Sequence, residues 1–272
     1  MFRGILVILM VLLAYSCRKD DIEPNDKVLN HFIIAGHAYG TPDNKPPALY
    51  KKLLPLLANY QTNYEPVQFI FTGDVAYNAT PENWENIIKQ FDSLNIDFWI
   101  APGNHEFYTS YFLDSIQSEA FFTRRVADNL FIILNTNFDG WTIDKPQIEM
   151  IRSSLEKNEN IINVFVFTHQ LWFSNAFGRP FNLKNVGSNS NELLDGPTSF
   201  WTDAFPLFED LTNPVYFFAG DLGTWDWTIS YNFQQFKNYY FYASGMGSGK
   251  DDNVLHVKTF LSGKVEIEKI NF

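Results

Sequence analysis

A single cysteine, Cys17, stands among 272 residues, so no intrachain disulfide can form and no multi-cysteine zinc or iron–sulfur site can be built. Charge is sparse, at 19% of residues, and basic charge sparser still: 20 Lys and Arg against 31 Asp and Glu leave a formal net charge of −11. With no run of Lys or Arg, the chain lacks the electrostatic footprint that grips nucleic-acid duplexes or anionic lipid. No apolar run reaches the ~20 residues that a membrane-spanning helix requires. What is plentiful is apolar and aromatic side chain, 46% and 17% of residues. That is enough to bury one substantial core, and it excludes a disordered or fibrous chain. Any metal must be held by His, Asp, Glu or Asn.

The unbroken apolar stretch Ile5 to Ala14, preceded by Arg3, has the length of a signal-peptide core. Cys17 follows it in Leu13-Ala14-Tyr15-Ser16-Cys17, which resembles a bacterial lipobox, although Ala14 and Tyr15 stand where that motif usually carries Leu and a small residue. The expectation is a signal peptide over residues 1–16, a lipidated N-terminus and tether over 17–30, and one domain over 31–272. This implies a protein of the cell envelope, lipid-anchored on the outer membrane and touching the membrane only through its acyl groups. Ordinary signal cleavage nearby, with Cys17 discarded or free, is the alternative. Arg18-Lys19-Asp20-Asp21 is similar to the Lys-Asp-rich export signals of Bacteroidetes surface lipoproteins, so display on either side of the membrane stays open.

Beyond the tether, strand and helix patterns alternate. His31 to Ala35 reads as a strand, a helix is expected over about Ala48 to Tyr60, and the unit repeats as Val67 to Thr72 with Pro81 to Leu94. Ile96 to Ala101, Leu130 to Asn135, Ile161 to Thr168 and Pro214 to Ala219 are further strands, and Lys145 to Leu155 a further helix. Such alternation implies a largely parallel sheet covered by helices. Tyr239 to Ser244, Val254 to Phe260 and Val265 to Ile270 read as antiparallel hairpins. Between Gln170 and Thr198 lies a Gly/Asn/Ser/Pro-rich stretch too long for an ordinary connection, a length typical of lids and binding loops.

Polar residues recur where the strands end, which is where open α/β sheets bind ligands. Gly36-His37, Gly73-Asp74, Gly103-Asn104-His105-Glu106, Thr168-His169 and Gly220-Asp221 each follow a strand. Three of the five histidines fall there. Imidazole, carboxylate and amide oxygen are the donors a hard or borderline divalent cation accepts, so five such positions in register point to a metal site.

The order of these motifs resembles the calcineurin-like metallophosphoesterases, through Gly73-Asp74-Val75-Ala76-Tyr77, Gly103-Asn104-His105-Glu106, Thr168-His169 and, between them, Phe131 to Asn135 with Gln147. The resemblance implies a four-layer α/β/β/α sandwich, with the terminal hairpins completing the second sheet. It also implies two metals bridged by Asp74. Two departures change that picture. The family's opening Asp-x-His is here Ala35-Gly36-His37, and its closing Gly-His-x-His is Gly220-Asp221-Leu222-Gly223. One metal position therefore keeps only His37 and Asp74, whereas the other keeps a donor at each place: Asp74, Asn104, His169 and Asp221. The expectation is one dominant site for a divalent metal, with Mn, Fe, Mg or Ca favoured by the oxygen-rich donors over Zn. His105 is the expected general acid, and His37 the group that meets a phosphoryl oxygen. The implied substrate is a phosphorylated small molecule or an envelope glycan, hydrolysed at a mono- or diester.

A second class remains open. The losses at Ala35 and Gly223 equally suit a catalytically impaired protein that binds a glycan or protein through Trp172, Phe173, Phe177, Trp201, Trp225 and Trp227. Arg179 and Lys184 are candidate anion contacts. Gly245-Met246-Gly247-Ser248-Gly249-Lys250 mimics a phosphate loop but lacks the spacing and the Ser or Thr after Lys250. Ser174 and Ser190 lack a nucleophile elbow, and His31 and His256 read as structural. The oligomeric state is not legible.

Overall fold

The computed structural model describes residues 26–42, 47–64, 67–137, 141–172, 198–225 and 229–272. Eleven strands form two sheets. The first has the order β11 (Val265–Asn271), β10 (Asn253–Phe260), β1 (Val28–Ala35), β2 (Val67–Phe71) and β3 (Phe98–Ile100). The second runs β4 (Phe122–Val126), β5 (Asn129–Ile133), β6 (Asn163–Phe167), β7 (Val215–Ala219), β9 (Tyr239–Ser244) and β8 (Tyr231–Phe236). Strands β1–β2–β3 and β5–β6–β7–β9 are parallel, and antiparallel strands close both sheets.

Alternating side chains explain why both sheets are buried on two faces. Along β6, Val164 and Val166 point into one core cluster while Phe165 and Phe167 point into another. β7 repeats this with Val215, Phe217 and Ala219 against Tyr216 and Phe218. Three clusters fill three interfaces. Helices α1 (Leu53–Asn63) and α2 (Pro81–Ser93) pack on the outer face of the first sheet through Leu53, Leu57, Trp84, Ile87 and Phe91. Helix α3 (Lys145–Lys157) and the short helical turns Phe200–Phe208 cover the second sheet through Ile151, Phe200, Trp201 and Phe205. Aromatic rings fill the space between the sheets. The layers are thus α/β/β/α. None of the described helices is long and apolar enough to cross a membrane.

Local chemistry fixes the helix starts. The Thr80 hydroxyl accepts from Asn83 N at 3.3 Å with Pro81 beginning α2, and Asp144 accepts from Gln147 N at 3.4 Å to begin α3. α1 starts at Leu53 rather than Ala48, because the Tyr50 N–H is taken by the Ala38 carbonyl and the preceding turn is tied to the loop after β1. The terminal hairpin also departs from expectation. β10 and β11 join the first sheet beside β1, and only β9 enters the second, paired with the unanticipated β8. The mixed polar and apolar character of Tyr231–Phe236, whose only β-favouring residues are aromatic, hid that strand. The connection from Phe173 to Pro197, with Ser174, Arg179, Lys184 and Ser190, lies outside the described residues, as do residues 1–25 and Trp227.

Gln147 shows how a helix is stitched to a strand end. Its amide accepts from Asn135 N at 2.8 Å and donates to the Asn135 carbonyl at 2.7 Å, as a neighbouring strand would. Gln147→Leu would orphan both buried groups and is expected to lower unfolding free energy by about 1–3 kcal/mol for each, read from urea denaturation.

His31 and His256 face one another across the β1–β10 pair, with Nδ1 and Nε2 2.9 Å apart, among the rings of Tyr60 and Tyr64. Burial, then His31 and Lys258, pushes His256 down to about 4, and burial and Lys258 lower His31. Unfolded imidazoles take up a proton near pH 6.5, so between about 6.5 and 4 the unfolded chain binds more protons than the folded one. The urea midpoint is therefore expected to fall as pH drops through that window, and His256→Gln to flatten the decline.

Candidate metal centre

Five strand ends from both sheets meet at one place. β1 delivers His37, β2 Asp74, β3 the turn Gly103 to Glu106, β6 His169 and β7 Asp221. His37 and Asp74 both adopt positive φ, +50° and +55°, a cost for residues with a Cβ that is met where surrounding bonds over-determine the backbone. Those bonds are present: His37 N donates to the Gly73 carbonyl at 3.2 Å and Tyr39 N to the Asp74 carbonyl at 3.3 Å. Gly103 is required by packing, since a Cβ there would collide with the Asp74 carboxylate.

Glu106 organises the floor. Its Oε2 accepts from Gly103 N at 2.7 Å and Asp74 N at 2.8 Å, and its Oε1 from Val75 N at 2.9 Å and Ala76 N at 3.4 Å. Burial and the neighbouring Asp74 push this carboxyl upward, against those donors. The four convergent N–H groups favour the ionised carboxylate and oppose that push.

Three imidazoles surround Asp74, each with Nδ1 engaged on a second partner. His169 Nδ1 donates to the Thr72 carbonyl at 2.8 Å, His105 Nδ1 to the Tyr77 carbonyl, and His37 Nδ1 meets the Thr224 hydroxyl. The Nε2 atoms converge: His37 at 2.9 Å and His105 at 3.8 Å from Asp74 Oδ2, and His169 at 3.4 Å from Asp74 Oδ1. Asp221 Oδ1 lies 3.6 Å from His37 Nε2 and 3.9 Å from His169 Nε2. Such outer partners fix tautomer and ring orientation in metal centres.

The decisive atom is His169 Nε2. It is buried without a hydrogen-bond partner, and because Nδ1 carries the proton given to Thr72, the neutral ring aims a lone pair between two carboxylates. Like partial charges in a buried pocket need a cation among them. The donors of His37, Asp74 and His169 lie within 4.8 Å of one another, so one ion can meet all three. Imidazole with carboxylate fits a divalent metal. Without one, the proton is the only available cation: burial favours the neutral ring, but Asp74 and Asp221 outweigh it and raise the His169 pKa. Asp74 is correspondingly driven down, its burial outweighed by His169, His37 and His105.

Of the residues singled out in the sequence, His37, Asp74, His169 and Asp221 form this cluster, and His105 flanks its more open side. Asn104 begins the helical turn His105–Tyr108, and sits between Gly103, packed on the Asp74 carboxylate, and His105, whose N–H donates to Asp74 Oδ1 at 3.3 Å. Ala35 is buried in the core beneath the first-sheet helices, and Gly223 turns at φ +83° against Met246. Tyr39 gave no signal in the sequence. It is buried with its ring 5.4 Å from His37 and 5.1 Å from His105, and burial with Asp74 keeps its hydroxyl protonated. Trp172 and Trp201 are core residues, leaving Trp225, 40% exposed, as the accessible tryptophan among the described members of that group. In the Gly-rich loop, Gly247 N and Gly249 N donate to buried Asp252 at 2.9 and 3.1 Å, so a carboxylate already occupies the place a phosphate would take.

Residues 31–192 match the family model for calcineurin-like phosphoesterases. Among solved structures, the chain is similar to the 5'-nucleotidase precursor of Thermus thermophilus, at 11% identity and a TM-score of 0.51 over 90% of this chain and 55% of that one. The NAD nucleotidase of Haemophilus influenzae aligns at 11% identity and a TM-score of 0.44, over 90% of this chain and 50% of that one. The chain thus spans about half the length of these proteins, and its likeness to the first is one of fold alone. No curated protein gives a significant sequence match.

Glu106→Gln would turn an amide N–H toward backbone donors and loosen Asp74. Mn²⁺ affinity measured by calorimetry is expected to fall about 10–100-fold, the usual effect of losing an outer-shell partner, while the fold persists by circular dichroism.

Proposed function

Because the chain belongs to the calcineurin-like phosphoesterase family, we propose that it hydrolyses a phosphate mono- or diester through one dominant divalent-metal centre, outside the cytoplasm and on a lipid anchor at Cys17. The observation that carries this reading is the lone pair of His169 Nε2, held between Asp74 and Asp221. Asp74, His169, Asp221 and Asn104 are the proposed ligands. His37, wholly buried with Nε2 on Asp74, is drawn in as a further donor. A cation bound there supplies Lewis acidity toward a phosphoryl oxygen and toward water.

The chain's own residues do the rest. The Tyr77 carbonyl fixes the His105 ring at Nδ1, which leaves Nε2 on the more open side of the cluster. In its protonated form this nitrogen would hand a proton to the leaving ester oxygen as a water oxygen bonds phosphorus and the P–O ester bond breaks. Asp74 balances that charge from 3.8 Å. Tyr39, its ring tilted against those of His37 and His105, walls one side of the cluster and limits water.

A second reading rests on Ala35 and Gly223, which remove two family ligands: a protein that keeps the metal for structure and binds a glycan or protein at the envelope. The two diverge at His105. With Mn²⁺ present, His105→Ala is expected to lower kcat on an alkyl phosphate mono- or diester, whose poor leaving oxygen needs the proton, by about 10²–10⁴-fold while metal stoichiometry stays unchanged. Undiminished turnover in that variant would sink the general-acid role of His105, and no turnover of any phosphate mono- or diester by the metal-loaded native chain would sink the hydrolase assignment. Asp221→Ala is expected to lose the metal itself. Labelling with a fatty-acid analogue, abolished by Cys17→Ser, tests the anchor.

A further inference from the structure

Each sheet has two edges, and three of the four are guarded. β3 is only Phe98–Ile100 long, and the Gln117 amide covers its last residue, accepting from Ile100 N and donating to the Ile100 carbonyl, both at 2.9 Å. β4 carries Arg124 and Arg125, and β11 carries Glu266, Glu268 and Lys269. Charges and short length are the usual protections of an edge. β8 has neither, since Tyr231-Asn232-Phe233-Gln234-Gln235-Phe236 contains no charge and no proline.

Its register shows which groups are available. Gly245 N donates to the Ser230 carbonyl, and Ser230 lies opposite Gly245 in the continuation of the Tyr231–Ser244 pairing. Hydrogen-bonded positions alternate in an antiparallel pair. Asn232, Gln234 and Phe236 therefore bond β9, and the N–H and C=O groups of Tyr231, Phe233 and Gln235 point away from the sheet.

A second observation lies on the same strand. A row of stacked rings crosses the second sheet at directly paired positions: Phe167 to Phe218 at 5.1 Å, Phe218 to Tyr242 at 5.5 Å, and Tyr242 to Phe233 at 4.6 Å. The first three rings are buried. The row ends on Phe233, which is 42% exposed, so the stack stops where one more strand would continue it.

We propose that β8 pairs antiparallel with β8 of a second copy of this chain, about a two-fold axis at Phe233. The strand suits itself in that register. Phe233 meets Phe233 of the second copy and extends the ring stack across the axis, and Tyr231 meets Gln235, so each outward N–H finds a carbonyl. On the opposite face Asn232 meets Gln234, amides that donate and accept equally well. A two-fold interface requires this self-complementarity, and the neutral strand avoids the like-charge opposition that a chain of net charge −11 would otherwise bring to it. The dimer would join two six-stranded sheets into one continuous sheet.

The test is sedimentation equilibrium of the purified chain carrying Cys17→Ser, so that no acyl group drives association. A concentration-dependent dimer is expected. Phe233→Lys sets two ammonium groups face to face at the axis and is expected to weaken it by more than about tenfold. Gln235→Pro removes only an outward N–H, which an edge strand tolerates, and should act likewise with the thermal midpoint kept. Hydrogen exchange at residues 231, 233 and 235 should slow in the dimer. A monomer at every concentration, or a dimer indifferent to both substitutions with these amides exchanging freely, overturns the proposal.

Discussion

The four backbone N–H groups gathered on the Glu106 carboxylate are the constraint on which the site depends. They come from two different loops, after β2 and after β3, and they fix where Asp74 stands. Asp74 is in turn the common neighbour of His37, His105 and His169. A carboxylate in this buried position is costly unless its acceptor sites are filled, and the loops fold into positive-φ turns around it to fill them. The strain at His37 and Asp74 is offset by that network.

The same logic extends outward. Thr72, Tyr77 and Thr224 each hold one imidazole at Nδ1, so the three Nε2 atoms are aimed rather than merely near. Around His37, the Thr224 hydroxyl meets Nδ1 and the Tyr39 ring lies 5.4 Å away.

The scaffold supplies rigidity through duplication. Two sheets bring strand ends from opposite sides to a shared seam, and the aromatic layer between them keeps the seam at fixed width. Strands β1, β2, β6 and β7 are covered on both faces, and the glycines after β1, β2 and β7 let loops cross at backbone contact distance. The unguarded β8 lies at the far edge of the second sheet, where pairing with another strand would not disturb the centre.

Much of this is legible in the residues. The parallel strands follow from apolar, β-branched runs that are buried on both faces. Ile161 to Thr168 anticipates β6, and the polar residues closing each run mark His37, Asp74, His105, His169 and Asp221 from the sequence alone. Glu106 is visible there only as the end of a motif, because an acid that serves backbone amides looks the same in sequence as one that serves a metal. Tyr39 and Thr224 are silent, since a neutral hydroxyl acquires meaning only from what it touches. The sheet to which the terminal hairpin belongs, the existence of β8, and the fate of Trp172 and Trp201 as core are also decided in three dimensions. Periodicity along a chain reports which faces are buried. Which strand lies beside which, and which lone pair is left facing two carboxylates, depend on contacts between residues far apart in sequence, and only the folded chain brings those together.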